Sequence, residues 1–99
     1  MENDTTPPDE LNSAINILHD AAMCISERAA ERDQDSERSM GRCVAAFNAL
    51  TGFQLSEKDG WMFMVMLKAA RAEVGVTRDD FLDMAAYAAL AGESALTPR

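Results

Sequence analysis

Two cations and two carboxylates sit at helical spacing near the C-terminal end of this chain. Lys68 and Arg71 are three apart, Asp80 and Asp83 are three apart, and Tyr87 follows four residues later. Residues three and four apart share one face of a helix, so each set forms a stripe. Gly75 stands between the two sets. Two antiparallel helical arms folded there bring equidistant residues together: Arg71 opposite Asp80, Lys68 opposite Asp83, Met64 opposite Tyr87. Both stripes border an apolar run, Trp61–Leu67. Two kinds of chemistry fit such a wall. One is a ladder of ion pairs whose aliphatic stems lie along apolar surface. The other is a pocket for an anionic, planar ligand. There Lys68 and Arg71 meet phosphate or carboxylate, Asp80 and Asp83 orient those cations or accept ligand donors, and Tyr87 or Trp61 stacks.

A second cluster is rich in arginine. Arg28, Arg32, Arg38 and Arg42 fall within fifteen residues, interleaved with Glu27, Glu31, Asp33, Asp35 and Glu37. Arg38 and Arg42 share a helix face and make a candidate phosphate-binding corner; the alternative is a solvated, self-neutralising surface. A metal-dependent nucleotide pyrophosphatase needs two acidic pairs on facing helices. Asp80 and Asp83 supply one, and Glu27 with Glu31 the other. The second pair lies on the polar side of its helix, and Lys68 and Arg71 already oppose the first, so no metal site is assigned. His19 has no partner for a nucleophile triad, and no strand–helix glycine loop for phosphate is present. No catalytic residue and no cofactor are therefore assigned.

The elements that must carry these residues are all helical. Thr6-Pro7-Pro8-Asp9 opens a helix with a cap, a proline at its first position and a capping-box acid. Leu11, Ile15, Leu18, Ala22, Ile25 and Ala29 continue it at spacings of four and three, to about Arg32. Ile17, Ala21 and Cys24 form a flanking apolar stripe on the same helix. A second helix, capped by Asp35 or Ser36, has Met40, Val44, Phe47 and Leu50 as its inner face and ends at Thr51-Gly52. A third starts at the capping box Ser56-Glu57-Lys58-Asp59 and runs to about Val74. Its Met62, Phe63, Val65, Met66 and Leu67 are expected to be buried, because no side of that run is polar. A fourth starts at Thr77-Arg78-Asp79-Asp80, turns Phe81, Met84, Ala85, Ala88 and Ala89 inward and ends at Gly92. The expected architecture is an all-α, small four-helix bundle with a long N-terminal helix. Residues 1–5 form a disordered arm, 6–92 one domain and 93–99 a short tail. The first helix is longer than any it can pack on, which predicts a homo-oligomer built through it.

The net charge is −8, and it is uneven. Residues 1–35 hold nine acids against two arginines, and residues 36–99 eight acids against seven bases. Such a surface disfavours duplex nucleic acid, whose phosphates need cations. It suits competition for a basic surface on another protein. Cys24 and Cys43 match no metal or redox spacing and read as free thiols. With no basic and apolar leader pattern and no apolar run near ~20 residues, the expectation is a cytoplasmic protein that stays off the membrane.

Four segments carry a resemblance. In order they are Glu31-Arg32-Asp33-Gln34, then Phe47-Asn48-Ala49-Leu50-Thr51-Gly52, then Met62–Arg71, then Asp80-Phe81-Leu82-Asp83-Met84-Ala85-Ala86-Tyr87-Ala88-Ala89-Leu90. Over residues 12–92 the chain resembles a family of small phage and prophage helical proteins, some labelled phage nucleotide kinase-like. Where that family often has a tyrosine-glycine before the second helix, this chain has Ser39-Met40-Gly41. The resemblance implies a phage setting in a host cytoplasm and nucleotide handling. The first functional expectation is therefore an accessory protein that binds an anionic, nucleotide-like ligand through Lys68, Arg71, Asp80, Asp83 and Tyr87, with Arg38 and Arg42 as a second anion corner. It would serve nucleotide metabolism or sequester a host signal. The alternative is a non-catalytic inhibitor of a host defence protein or host enzyme, acting through an acidic helical surface.

Overall fold

Ser13, Ser56 and Thr77 begin the three longest helices of the chain by the same device: each hydroxyl accepts a backbone N–H three residues on, at 3.2 Å. The computed structural model describes residues 8–31 and 39–97, and among them every regular element is helical. A single turn, α1 (Pro8–Leu11), precedes α2 (Ala14–Glu31). Asn12 and Ser13 separate them, because short polar side chains compete for backbone hydrogen bonds and favour caps. Then come α3 (Ser39–Thr51), α4 (Glu57–Val74) and α5 (Arg78–Leu96).

The connection from α3 to α4 is tightly tied. Gly52 takes φ +82°, the left-handed conformation that ends a helix. The Asn48 side-chain amide donates to the Leu55 carbonyl and accepts from the Leu55 N–H, both at 3.0 Å. Ser56 and Asp59 then form a reciprocal capping box at the start of α4: Ser56 N–H donates to Asp59 Oδ2 at 2.8 Å, and Asp59 N–H donates to Ser56 Oγ.

α4 and α5 form an antiparallel hairpin at the centre. α2 packs on α5, and α3 packs on α4. Among the described residues α2 and α3 do not touch, so the four longer helices do not close around one core. The buried cluster is small: Ala21 of α2 with Leu82 and Ala86 of α5, flanked by Ile17, Cys24, Ile25 and Ala85. On the other side of the hairpin Trp61 and Val44 are buried. There α3 comes so near that a Cβ on Gly60 would stand 2.8 Å from Val44 Cγ2 and collide with Met40 Sδ.

Several expectations change. The long N-terminal helix is divided, and α2 at 18 residues only matches α4 at 18, so among the described residues the expected overhang is not seen. The faces of α2 are largely exchanged: the flanking stripe Ile17, Ala21 and Cys24 seats on α5, with Ile25 of the expected face packed beside it, while Ile15 and Leu18, and Leu11 of α1, are exposed. Met62, Phe63, Met66 and Leu67 are exposed, because α3 crosses only the first turns of α4 and no other described element covers that side. Phe47 is exposed too and leans on Phe53, ring centroids 5.8 Å apart. α5 runs through Gly92 to Leu96. The expected arm at 1–5, the Thr6 cap and the caps at Asp35 or Ser36 lie outside the described residues.

Candidate functional site

The seam between α4 and α5 is built from the two stripes. The spacing 61, 68, 71 on α4 faces the spacing 80, 83, 87 on α5, and the hairpin brings them level. Lys68 Nζ lies 3.0 Å from Asp83 Oδ2, with both side chains largely covered. Arg71 Nε lies 3.4 Å from Asp80 Oδ1. This second pair is lopsided: the Asp80 side chain is 5% exposed and the Arg71 side chain 63%. Asp80 is the most buried charged residue described, and a buried carboxylate is costly unless it is paired. Its backbone N–H also donates to Thr77 Oγ1, so one residue both starts α5 and anchors it to α4.

Along the seam the chemistry turns aromatic. Trp61 and Tyr87 stack on each other, centroids 5.7 Å apart and planes 22° from parallel. The indole N–H of Trp61 donates to Glu57 Oε2 at 3.4 Å. Glu57 in turn lies beside Gly41, where a Cβ would stand 3.5 Å from its carboxylate. The seam reads Glu57, Trp61–Tyr87, Lys68–Asp83, Arg71–Asp80: a row of side chains that mostly satisfy one another.

The other expected residues do not join it. Arg42 is exposed on α3, and Arg38, its expected partner in a phosphate corner, lies outside the described residues. Cys24 and Cys43 are free thiols. Among the described residues no three His, Cys, Asp or Glu side chains gather as a metal site, and no helix is long and apolar enough to cross a membrane.

One organising residue was not singled out from the sequence. Arg78, the first residue of α5, reaches Asp20 of α2 at 2.7 Å and donates from Nε and Nη2 to the Leu11 carbonyl that ends α1. It therefore clamps both N-terminal helices to the start of α5. Partners 58 and 67 residues away leave no local signal in the sequence.

With the geometry described, the chain can be placed. It belongs to the DUF6378 family, a domain of unknown function whose model matches residues 16–95. That span takes in α3 and α4 and nearly all of α2 and α5. No curated protein and no solved structure matches the chain.

Proposed function

We propose that the protein is a non-catalytic, protein-binding accessory factor that works through the N-terminal helices. One observation carries this reading: α2 has two apolar sides, and α5 covers only one. Ile17, Ala21 and Cys24 seat on α5, while Ile15 is 74% and Leu18 57% exposed, and exposed Leu11 ends α1 just before them. Ile15 and Leu18, three apart on one helix, are the kind of anchors with which a helix enters an apolar groove. Asp9 and Glu10 are exposed at its head, and the first 35 residues are strongly acidic. The fitting partner is a protein with an apolar groove and a basic rim. The phage setting implied by the resemblance makes a host protein the natural candidate. A photo-crosslinker at Leu18, used in host cells, should trap one protein, and Leu18→Glu should abolish both the trapping and the phenotype. Trapping of a second copy of the chain instead would return this face to the self-association first expected of it.

A second reading keeps the seam as a ligand wall. The exposure of Arg71 favours it, since its guanidinium can meet an anion while held by Asp80. Against it, Lys68 is already engaged by Asp83 and the two rings stack on each other. Nucleotides that raise the melting temperature, with the rise lost in Arg71→Ala, would move the function to the seam. No shift with any nucleotide leaves the α2 face as the working surface.

A further inference from the structure

We infer that α1 and α2 are two halves of one helix, held apart at Asn12-Ser13 by Arg78, and that a partner takes the joined form. Leu11, Ile15, Leu18 and Ala22 step by four, three and four across the break, the spacing of one helix face. In the bent chain the first of them belongs to α1 and the other three to α2, and all four are exposed. Nothing in the residue types forbids joining. Pro8 is the first residue of α1, where proline is tolerated. Asn12 and Ser13 are weak helix formers, not breakers. Joined, residues 8–31 make one helix of about 36 Å at 1.5 Å per residue.

Two carbonyls decide between the bent and the joined form. In an unbroken α-helix the Glu10 carbonyl accepts the N–H of Ala14, and the Leu11 carbonyl accepts that of Ile15. Here other donors take both. The Asn16 side-chain amide and the Ser13 N–H donate to the Glu10 carbonyl. Arg78 donates to the Leu11 carbonyl from Nε at 3.3 Å and from Nη2 at 3.0 Å. Among these donors only Arg78 comes from a distant element, and Asp20 steadies it at 2.7 Å. The bend is therefore held from outside the segment that bends. Ile17, Ala21 and Cys24, which seat on α5, lie beyond the break, so joining does not require α2 to leave its seat. The identity of the partner rests on the protein-binding reading of α2. That reading gains a third anchor: Leu11, Ile15 and Leu18 then stand at i, i+4 and i+7, and the partner's groove must be long enough for all three. The bent form lowers the affinity in proportion to its share of the population.

NMR of the full chain reads the break without any partner. Asn12 and Ser13 should show non-helical Cα shifts in the unmodified chain and helical ones in Arg78→Ala, with residues 17–24 helical in both. Asp20→Ala breaks the ion pair but leaves the bonds to the Leu11 carbonyl, and should keep the break. Non-helical shifts at Asn12 and Ser13 in Arg78→Ala, or loss of helix at 17–24 there, would overturn the inference. Ala14→Pro is the opposite control. Proline fits the first position of α2, but it lacks the N–H that a joined helix needs and clashes with the Glu10 carbonyl. Circular dichroism checks that this variant folds. A photo-crosslinker at Leu11 and one at Leu18 should trap the same protein in host cells, severalfold more in Arg78→Ala and far less in Ala14→Pro. Trapping at Leu18 that is indifferent to Ala14→Pro would overturn the joined form and leave the protein-binding reading standing. Helical shifts in Arg78→Ala with no trapping at either position would establish the joined helix and remove its partner.

Discussion

The two sides of α4 invert the usual arrangement of a helix. The side facing α5 within the chain holds Trp61, Lys68 and Arg71, a largely polar and aromatic stripe. The side facing outward holds Met62, Phe63, Met66 and Leu67. An amphipathic surface helix ordinarily buries its apolar stripe and shows the polar one. Here the polar stripe is specific, because each member has a named partner at a fixed register, and the apolar stripe is unspent. The chain uses ion pairs and stacked rings to fix which helix pairs with which, and leaves its larger hydrophobic surface exposed.

That contrast breaks most sharply at Trp61. It is the largest buried side chain described, 5% exposed, so Trp61→Ala should cost about 3–5 kcal/mol. Urea titration would show this, and a loss under about 1 kcal/mol would mean that the inner side is not the core. Lys68→Met comes next. It strands Asp83 in a largely covered position, and leaving a charged partner unpaired costs about 1–3 kcal/mol. Adding Asp83→Leu should recover most of that loss, since an apolar pair of similar volume often replaces an enclosed ion pair without penalty. Failure to recover would show that Asp83 holds something besides Lys68.

Gly60→Ala should be milder. Alanine gains up to about 1 kcal/mol of helix propensity, but crowding Val44 and Met40 costs about 1–3 kcal/mol. A net loss of about 1 kcal/mol is expected, with α3 displaced from α4 and Trp61 fluorescence little changed. The smallest effect is at Ser56. Ser56→Ala removes one cap bond, worth about 1 kcal/mol. The Ser56 backbone N–H, then the Ser56 hydroxyl, hold the Asp59 carboxyl below the usual carboxylate range. A depressed folded-state pKa gives stability that is present above the unfolded value and lost as the pH falls through the folded one. The capping contribution should therefore fade only in acid, below the ordinary carboxylate range, and Ser56→Ala should shift that loss to higher pH.

Local signals were legible in the sequence wherever neighbours in the chain did the work. The capping serine at 56, the left-handed Gly52 and the pairing of Arg71 with Asp80 and Lys68 with Asp83 all follow from short spacings and a single turn. The seam's register was thus readable, although its role as a site was not. What failed was burial. Hydrophobicity says that Phe63 and Met66 seek cover, but not whether the cover belongs to the same molecule. On α2 two apolar stripes competed, and periodicity favoured the one that stays exposed, because the seat on α5 selects small residues such as Ala21 that weigh little in any hydrophobic pattern. The break at Asn12-Ser13 was hidden by the stronger start signal at Pro7-Pro8. The Arg78 clamp joins residues too far apart in sequence for any pattern to show.

That clamp also has a consequence in time. The α3–α4 and α4–α5 contacts close over short stretches of chain, whereas α2 reaches α5 only across a span of 58 residues between Asp20 and Arg78. Closing a long loop comes late and is favoured by few contacts. The hairpin therefore forms a unit able to persist while α2 swings away, opening when Arg78 lets go of Asp20 and the Leu11 carbonyl. Hydrogen exchange should resolve two tiers of protection, slow amides in α4 and α5 and faster ones throughout α2, with Arg78→Ala speeding only the second. A helix that lifts off its seat as one piece exposes both of its apolar sides together.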